Sequence, residues 1–184
     1  MSIDALLSEL DSWFNQSDVT PVRAKFLSKL ATLEYCGWLE ERFDQMVVKV
    51  ATACDVAGSN TVKSTMKLTH GFTYTHHLRE MLIAAIGERG VDFAEQAMQS
   101  AHPNQLDALI SGLATLKFAR GYLAHNSSLA SVPQQVTINA PSWCINQQRV
   151  VAKQIDRFEA RLLQTSQAIH AALRRESTGS GLAS

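Results

Sequence analysis

Apolar residues recur every three or four positions along almost all of this 184-residue chain, and alternating, strand-like runs are scarce. That spacing matches the 3.6-residue turn of an α-helix, whereas a half-buried strand alternates every second residue. Each such helix must bury its apolar side against other helices. The hydrophobic content of 46% is ample for one core. The chain is therefore predicted to be all-α, a bundle of four main helices with short accessory helices.

Capping and turn signals divide the chain into helices and connections. Thr20 and Pro21 mark the start of the second helix, since a side-chain cap followed by proline favours helix initiation. The predicted helices cover residues 2–14, 21–56, 76–90, 91–100, 104–124 and 141–175. A long polar connection is expected over 57–75 and a polar loop over 126–140. We expect a single domain over residues 1–176 and a disordered tail over 177–184.

The charge balance bears on what the chain can bind. Seventeen Lys and Arg residues face seventeen Asp and Glu residues, so the formal net charge is zero. Proteins that bind nucleic acid by general attraction usually carry a basic excess. Any contact with RNA or DNA must therefore come from a local patch or a small pocket.

The cysteines and the N-terminus indicate a cellular compartment. Cys36, Cys54 and Cys144 are few, odd in number and widely separated, so they form no disulfide framework. The N-terminus lacks the basic region of a signal peptide. The longest strongly apolar run, residues 81–86, is too short to span a bilayer. We expect a cytoplasmic protein that does not bind membranes.

One helix carries an arginine where its apolar side should be buried. On a helical wheel, Leu109, Leu113 and Leu116 share one stripe, and Arg120 continues it. A buried guanidinium without a partner costs about 3–5 kcal/mol. Arg120 must therefore be paired, or the stripe must emerge into a pocket or interface at that point.

A histidine follows five residues later. In a regular helix, His125 would stand about 140° from Arg120 around the axis. The two side chains meet within one chain only if the helix ends or distorts near Gly121, which glycine favours. Alternatively, they meet across a dimer, with each copy supplying its own pair.

The segment Arg120-Gly121-Tyr122-Leu123-Ala124-His125-Asn126 is similar to the Arg-x4-His signature of the HEPN superfamily. It most resembles the RiboL-PSP-like branch, in which the motif is commonly Arg-Asn-x-x-Ala-His. Leu33-Glu34 in an early long helix and Ala140-Pro141-Ser142 before the last helix also look like this branch. The resemblance covers roughly residues 20–175. It departs from the usual pattern at Gly121, where the family more often has a polar residue.

The resemblance implies a metal-independent endoribonuclease that acts as a homodimer, with Arg120 and His125 of both copies lining one cleft. It also implies a role as a toxin with an antitoxin partner, or in a defence system. The chemistry is reasonable, because histidine transfers protons near neutral pH and arginine binds phosphate through its planar fork. The RNA 2′-hydroxyl would attack its own phosphate and leave a 2′,3′-cyclic end.

Four further residues are candidates for a supporting role in binding the substrate. Glu34 lies near an apolar stripe and either pairs with Arg120 or is solvated. Lys117, one turn before Arg120, either contacts a phosphate or extends into solvent. Tyr122 shares a side of the helix with His125. Asn126 either caps the helix or hydrogen-bonds to substrate.

Two alternatives to this interpretation were considered. His70, His76 and His77 lie close in sequence but lack a recognised ligand spacing, so no metal site and no cofactor are expected. The chain could also be a non-catalytic helical module that binds a partner protein, with Arg120 in a buried structural ion pair. Gly121 and the neutral net charge favour that alternative, whereas Arg120 and His125 at the family spacing favour the nuclease.

Overall fold

The computed structural model describes residues 2–125 and 139–179, with side chains described over 2–124 and 139–172. Over these residues the protein is helical and contains no strand, which confirms the predicted all-α bundle. The helices are α1 (Ile3–Phe14), α2 (Pro21–Ala53), α3 (Asn60–Leu68), α4 (Arg79–Ala101), α5 (Gln105–His125) and α6 (Pro141–Gly179). A π-helical turn, Tyr74–Leu78, leads directly into α4.

Side-chain caps set the starts of three helices. The hydroxyl groups of Ser2, Thr20 and Ser59 accept hydrogen bonds from backbone N–H groups three residues later, at 3.2–3.3 Å. Each cap satisfies a backbone donor that has no partner within the helix. Thr20 and the adjacent Pro21 were predicted to begin α2, and both occupy those positions.

The two longest helices, α2 and α6, run side by side in the same direction through the core. Cross-contacts proceed in register, from Thr32 and Cys144 (3.7 Å) to Cys54 and the carbonyl of Ser166 (3.8 Å). Fully buried aromatic and aliphatic side chains fill the space between the helices, among them Tyr35, Leu39, Phe43, Leu82, Leu113 and Phe158. In the described part of the chain, no helix is long and apolar enough to span a membrane.

A buried cluster of charges joins α2 to α6. The Glu159 carboxylate, 8% exposed, contacts the Arg42 guanidinium and lies 2.6 Å from Lys49 Nζ. Arg42 also reaches Asp156 at 2.9 Å. Burial alone would raise the pKa of Glu159, but the hydrogen bonds from Lys49 and Arg42 outweigh it and lower that pKa. Glu159 is therefore ionised near neutral pH, and the cluster ties the two central helices together.

Three predicted boundaries are corrected by the structure. The connection over 57–75 contains α3, which the polar sequence concealed. The break predicted at Gly90 lies at Gly87, whose φ of 72° and ψ of 160° interrupt α4, while Gly90 is buried against Ile169. The last helix reaches Gly179, so the first residues of the expected tail are helical. Residues 180–184 of that tail and residues 126–138 of the expected loop lie outside the described residues.

Candidate functional site

Arg120 lies near the end of α5, where the apolar stripe of that helix reaches the surface. Leu109, Leu113 and Leu116 are completely buried, as predicted, whereas the Arg120 side chain is 40% exposed. The sequence left two alternatives for Arg120, an ion pair or a position where the stripe reaches the surface. Both apply, because Arg120 is paired and also reaches solvent. Its guanidinium is therefore accessible to an anionic ligand.

Two residues hold the guanidinium in place. Glu40 of α2 accepts a hydrogen bond from Arg120 Nη1 at 2.7 Å, and Arg120 Cζ lies 5.6 Å from the centre of the Phe72 ring. Phe72 is buried, so the ring offers the cation a fixed platform. A guanidinium has five N–H donors, and the Glu40 bond uses one of them. The others can bind a phosphate without rupture of the ion pair.

The partner of Arg120 is Glu40, and Glu34 lies on another side of α2. Glu34 is exposed and lines a groove between α1 and α2 with Ile3, Trp38 and Glu41. Glu40, six residues later, faces α5 instead. Because six residues turn a helix by about 240°, the two carboxylates leave α2 on different sides. Of the two alternatives for Glu34, the structure therefore agrees with the solvated one, and Arg120 pairs with Glu40.

His77, in the π-helical turn before α4, belongs to the same cluster. The Thr73 backbone N–H donates to His77 Nδ1 at 3.2 Å, and the Thr73 hydroxyl also contacts that nitrogen. A ring nitrogen that accepts from an N–H carries no proton, so the neutral ring bears its proton on Nε2. Short π-helical turns frequently accompany functional sites. His77 thus presents an N–H donor.

Gly71 leaves room for this ring. Its φ of 135° suits glycine, and a Cβ there would lie 2.6 Å from His77 Nε2. Any larger residue would displace the imidazole. The ring is therefore positioned from two sides, by Thr73 and by the backbone at Gly71.

Electrostatic interactions connect His77 to Lys117 and Glu40. Burial lowers the pKa of His77, and the positive charges of Lys117 and His76 lower it further, so the ring is neutral near pH 7. Glu40, which binds Arg120, also acts on this imidazole. Glu40, Phe72, His77, Lys117 and Arg120 therefore form one cluster, here called the Arg120 cluster.

Cys36 borders the cluster but is not a nucleophile. Burial raises the pKa of its thiol to about 12, and the nearby Arg120 charge only partly offsets that effect. A thiol with so high a pKa stays protonated at neutral pH, and the thiolate is the reactive form. Acid–base and electrostatic chemistry are what this cluster offers.

The other predicted residues of α5 are only partly described. Lys117 is exposed and lines a shallow groove on α5 with Phe118, Gly121 and Tyr122. The backbone is helical from Gln105 through His125, so the helix does not end or unwind at Gly121. A regular helix keeps positions 120 and 125 about 140° apart. The side chain of His125 and all of Asn126 lie outside the described residues.

Sequence reasoning missed Glu40, Phe72 and His77. Glu40 lies four residues after buried Cys36 and three before buried Phe43, which places it beside the apolar stripe of α2. A carboxylate beside a buried stripe was the one sign in the sequence that Glu40 could pair with a buried or half-buried cation. His77 was considered only as a metal ligand, and nothing local connects it with a residue forty positions later. Within the described residues, no group of three His, Cys, Asp or Glu side chains is arranged to hold a metal ion.

Comparison of the chain with known protein families, with curated protein sequences and with solved structures produced no match.

Proposed function

We propose that this chain is a metal-independent endoribonuclease of the HEPN type, and that the Arg120 cluster binds the phosphate it cleaves. The observation that carries the proposal is the Arg120 guanidinium, oriented by Glu40 and Phe72 yet 40% exposed. A phosphate ligand requires such exposure, which a buried structural ion pair would lack. Exposed Lys117 and the N–H donor of His77 add to the attraction for an anion.

The proposed reaction is an intramolecular transesterification of the RNA backbone. The 2′-oxygen attacks the adjacent phosphorus, the bond to the 5′-oxygen breaks, and a 2′,3′-cyclic phosphate and a free 5′-hydroxyl result. One group must accept the 2′-hydroxyl proton, and one must donate a proton to the leaving oxygen. Arg120 and Lys117 stabilise the charge that develops on the non-bridging oxygens.

The proton transfers are assigned to His125 in this proposal. His77 is unsuited to be the base, because Thr73 already donates to its unprotonated nitrogen. His77 instead donates from Nε2 to a phosphate oxygen. Since α5 remains helical through His125, we assign the meeting of Arg120 and His125 to two copies of the chain in a homodimer. A role as a toxin with an antitoxin partner, or in defence, remains part of the proposal through the HEPN resemblance.

The second candidate is a non-catalytic module that binds a partner protein. The ion pair between Arg120 and Glu40 favours it, since a structural arginine would be paired in this way. The two candidates differ in how much stability the protein loses when Arg120 is removed.

The test is an RNA cleavage assay in EDTA. Purified wild type, Arg120→Ala and His125→Ala are incubated with mixed single-stranded and structured RNA, with Arg89→Ala as a control for loss of an exposed arginine on α4. We expect the wild type and the control to produce 2′,3′-cyclic ends, and both site variants to be inactive. The same RNA with 2′-O-methyl groups should not be cut. No cleavage by the wild type, or cleavage that persists in Arg120→Ala, would contradict the proposal.

A further inference from the structure

A row of cations follows one side of α6. Arg149, Lys153, Arg157 and Arg161 occur at intervals of four residues, which puts successive side chains about 6 Å apart along the helix axis. Arg149 and Lys153 are exposed, and Arg157 and Arg161 are half-buried. These four residues are called the α6 ridge below.

The four ridge cations have no acidic partner in the described part of the chain, as is also true of Arg23 and Arg89. Within the described residues, no carboxylate lies within ion-pair distance of any of the four, whereas Arg42, Arg79 and Arg120 are all ion-paired. Arg157 donates to the amide of Gln105, and Arg161 to that of Gln164. These amides hold the guanidinium groups without neutralising them. The ridge therefore keeps its positive charge.

The surroundings of the ridge reflect this uncompensated charge. Desolvation and the charges of Arg157 and Arg161 lower the pKa of nearby His102. Two acids, Asp4 and Asp156, lie along the ridge, but Asp156 is held by Arg42 at 2.9 Å.

A groove beside the ridge contains an unsatisfied polar group. The groove has a volume of about 530 Å³ and is lined by Arg149, Lys153, Arg157 and Gln148. Gln148 is only 5% exposed, and its Oε1 has no hydrogen-bond partner within the described structure. The groove leaves room beside the cations for an extended anionic ligand.

We propose that the α6 ridge binds the phosphate backbone of single-stranded RNA outside the cleavage site. The cations recur at about the separation of neighbouring phosphates along a strand, and the groove beside them leaves room for sugars and bases. Arg157 contacts Gln105, the first residue of α5, and Arg120 lies about 22 Å further along that helix. One RNA strand can therefore span the ridge and the Arg120 cluster. This inference rests on the proposed ribonuclease function.

The test measures binding separately from cleavage. The probe is a fluorescent 20-nucleotide RNA of mixed sequence with 2′-O-methyl groups, which the proposed reaction cannot cut. Fluorescence anisotropy compares wild type with Arg149→Gln/Lys153→Gln/Arg161→Gln over a series of salt concentrations. The control, Lys63→Gln/Lys67→Gln/Arg89→Gln, removes the same charge from exposed positions on α3 and α4.

Loss of three phosphate contacts should lower the slope of log affinity against log salt by about 2 and weaken binding about 100-fold at 0.1 M salt. The control should bind like the wild type. Should the ridge variant not fold, as judged by its helical circular dichroism, Lys153→Gln alone should lower the slope by about 0.7.

Three outcomes separate the hypotheses. Equal affinity and slope in the ridge variant and the wild type would overturn the ridge proposal. Tighter, ridge-dependent binding of a poly-glutamate peptide than of RNA would overturn it as well and assign the ridge to an acidic protein. Ridge-dependent RNA binding without cleavage of the matching 2′-hydroxyl RNA would support the ridge and count against the nuclease.

Discussion

Removal of the Arg120 guanidinium distinguishes a ligand-binding arginine from a structural one. If the arginine existed to stabilise the bundle, Arg120→Ala should cost about 3–5 kcal/mol, the usual result when a buried ion pair loses a member. If it exists to bind phosphate, its deletion should cost little stability and abolish activity. The exposed fractions of the two side chains decide which magnitude applies.

The structure predicts the smaller cost. Arg120 is 40% exposed and Glu40 is 32% exposed, so solvent screens their attraction. Pairs of this kind contribute about 1 kcal/mol or less, and a cation above an aromatic ring adds about 0.5–1 kcal/mol. Arg120→Ala should therefore lower the free energy of unfolding by about 1–2 kcal/mol. For a chain of this length, that corresponds to a Tm decrease of roughly 2–8 °C.

A double-mutant cycle isolates the ion pair. Unfolding in urea is measured for the wild type, Arg120→Ala, Glu40→Ala and the double variant, with Arg89→Ala as a surface control expected within about 0.5 kcal/mol of wild type. The coupling energy between Arg120 and Glu40 should be about 1 kcal/mol or less. Cleavage of RNA in EDTA is followed on the same samples. A coupling energy of about 3 kcal/mol or more would refute this reasoning and favour the structural module.

Two further predictions concern pH and the core. Because the pKa of His77 is lowered in the folded protein, the unfolded chain binds more protons, and stability should fall as the pH drops below about 6.5. His77→Gln should remove this part of the pH dependence between pH 5 and 7.5; a difference from wild type that stays constant over that range would contradict it. Glu159→Gln should lower the free energy of unfolding by about 3 kcal/mol. This is the low end for a broken buried pair, because Arg42 remains paired with Asp156. Asp156→Asn, at a 67% exposed side chain, should cost about 1 kcal/mol or less in the same urea titration, and equal losses would argue against the assigned burial.

The fold followed from the sequence because helical periodicity is a local signal. Long helices with a continuous apolar stripe, such as α2 and α5, were predicted to within a few residues of their observed bounds. Helix α3 lacks such a stripe, since Val62 is its one buried residue. It is stabilised by the Ser59 cap and by packing on α4, and neither shows as periodicity.

The position of the break in α4 depended on tertiary structure. Gly87 and Gly90 are equivalent as local signals, because both lower the tendency to form a helix. Gly90 packs against Ile169 of α6, where a Cβ would come within 3.2 Å, whereas nothing lies near the Cβ position of Gly87. A glycine at position 90 therefore lets α4 approach α6 closely, whereas the backbone departs from helical geometry three residues earlier, at Gly87.

The sequence pointed to Arg120 as a candidate site residue, but not to the residues around it. Arg120 stood out because a charge interrupts an apolar stripe, which a helical wheel reveals directly. Its partner could not be chosen, since Glu34 and Glu40 both border apolar positions of α2, and only the packing of α5 selects between them. His77 joins the cluster through the turn before α4, a contact distant in sequence.

The net charge of zero does not mean that charges are evenly distributed over the surface. Exposed acids such as Glu34 and Glu41 line the groove between α1 and α2, whereas α6 exposes Arg149 and Lys153 without acidic partners. A zero sum over the chain therefore does not imply a neutral surface at any one place. The range of surface attraction is set by a screening length of about 8–10 Å, so an anionic ligand responds to the local patch and not to the total charge. A net charge of zero therefore counts against broad nonspecific binding of nucleic acid, but not against binding at a narrow cationic row such as the one on α6.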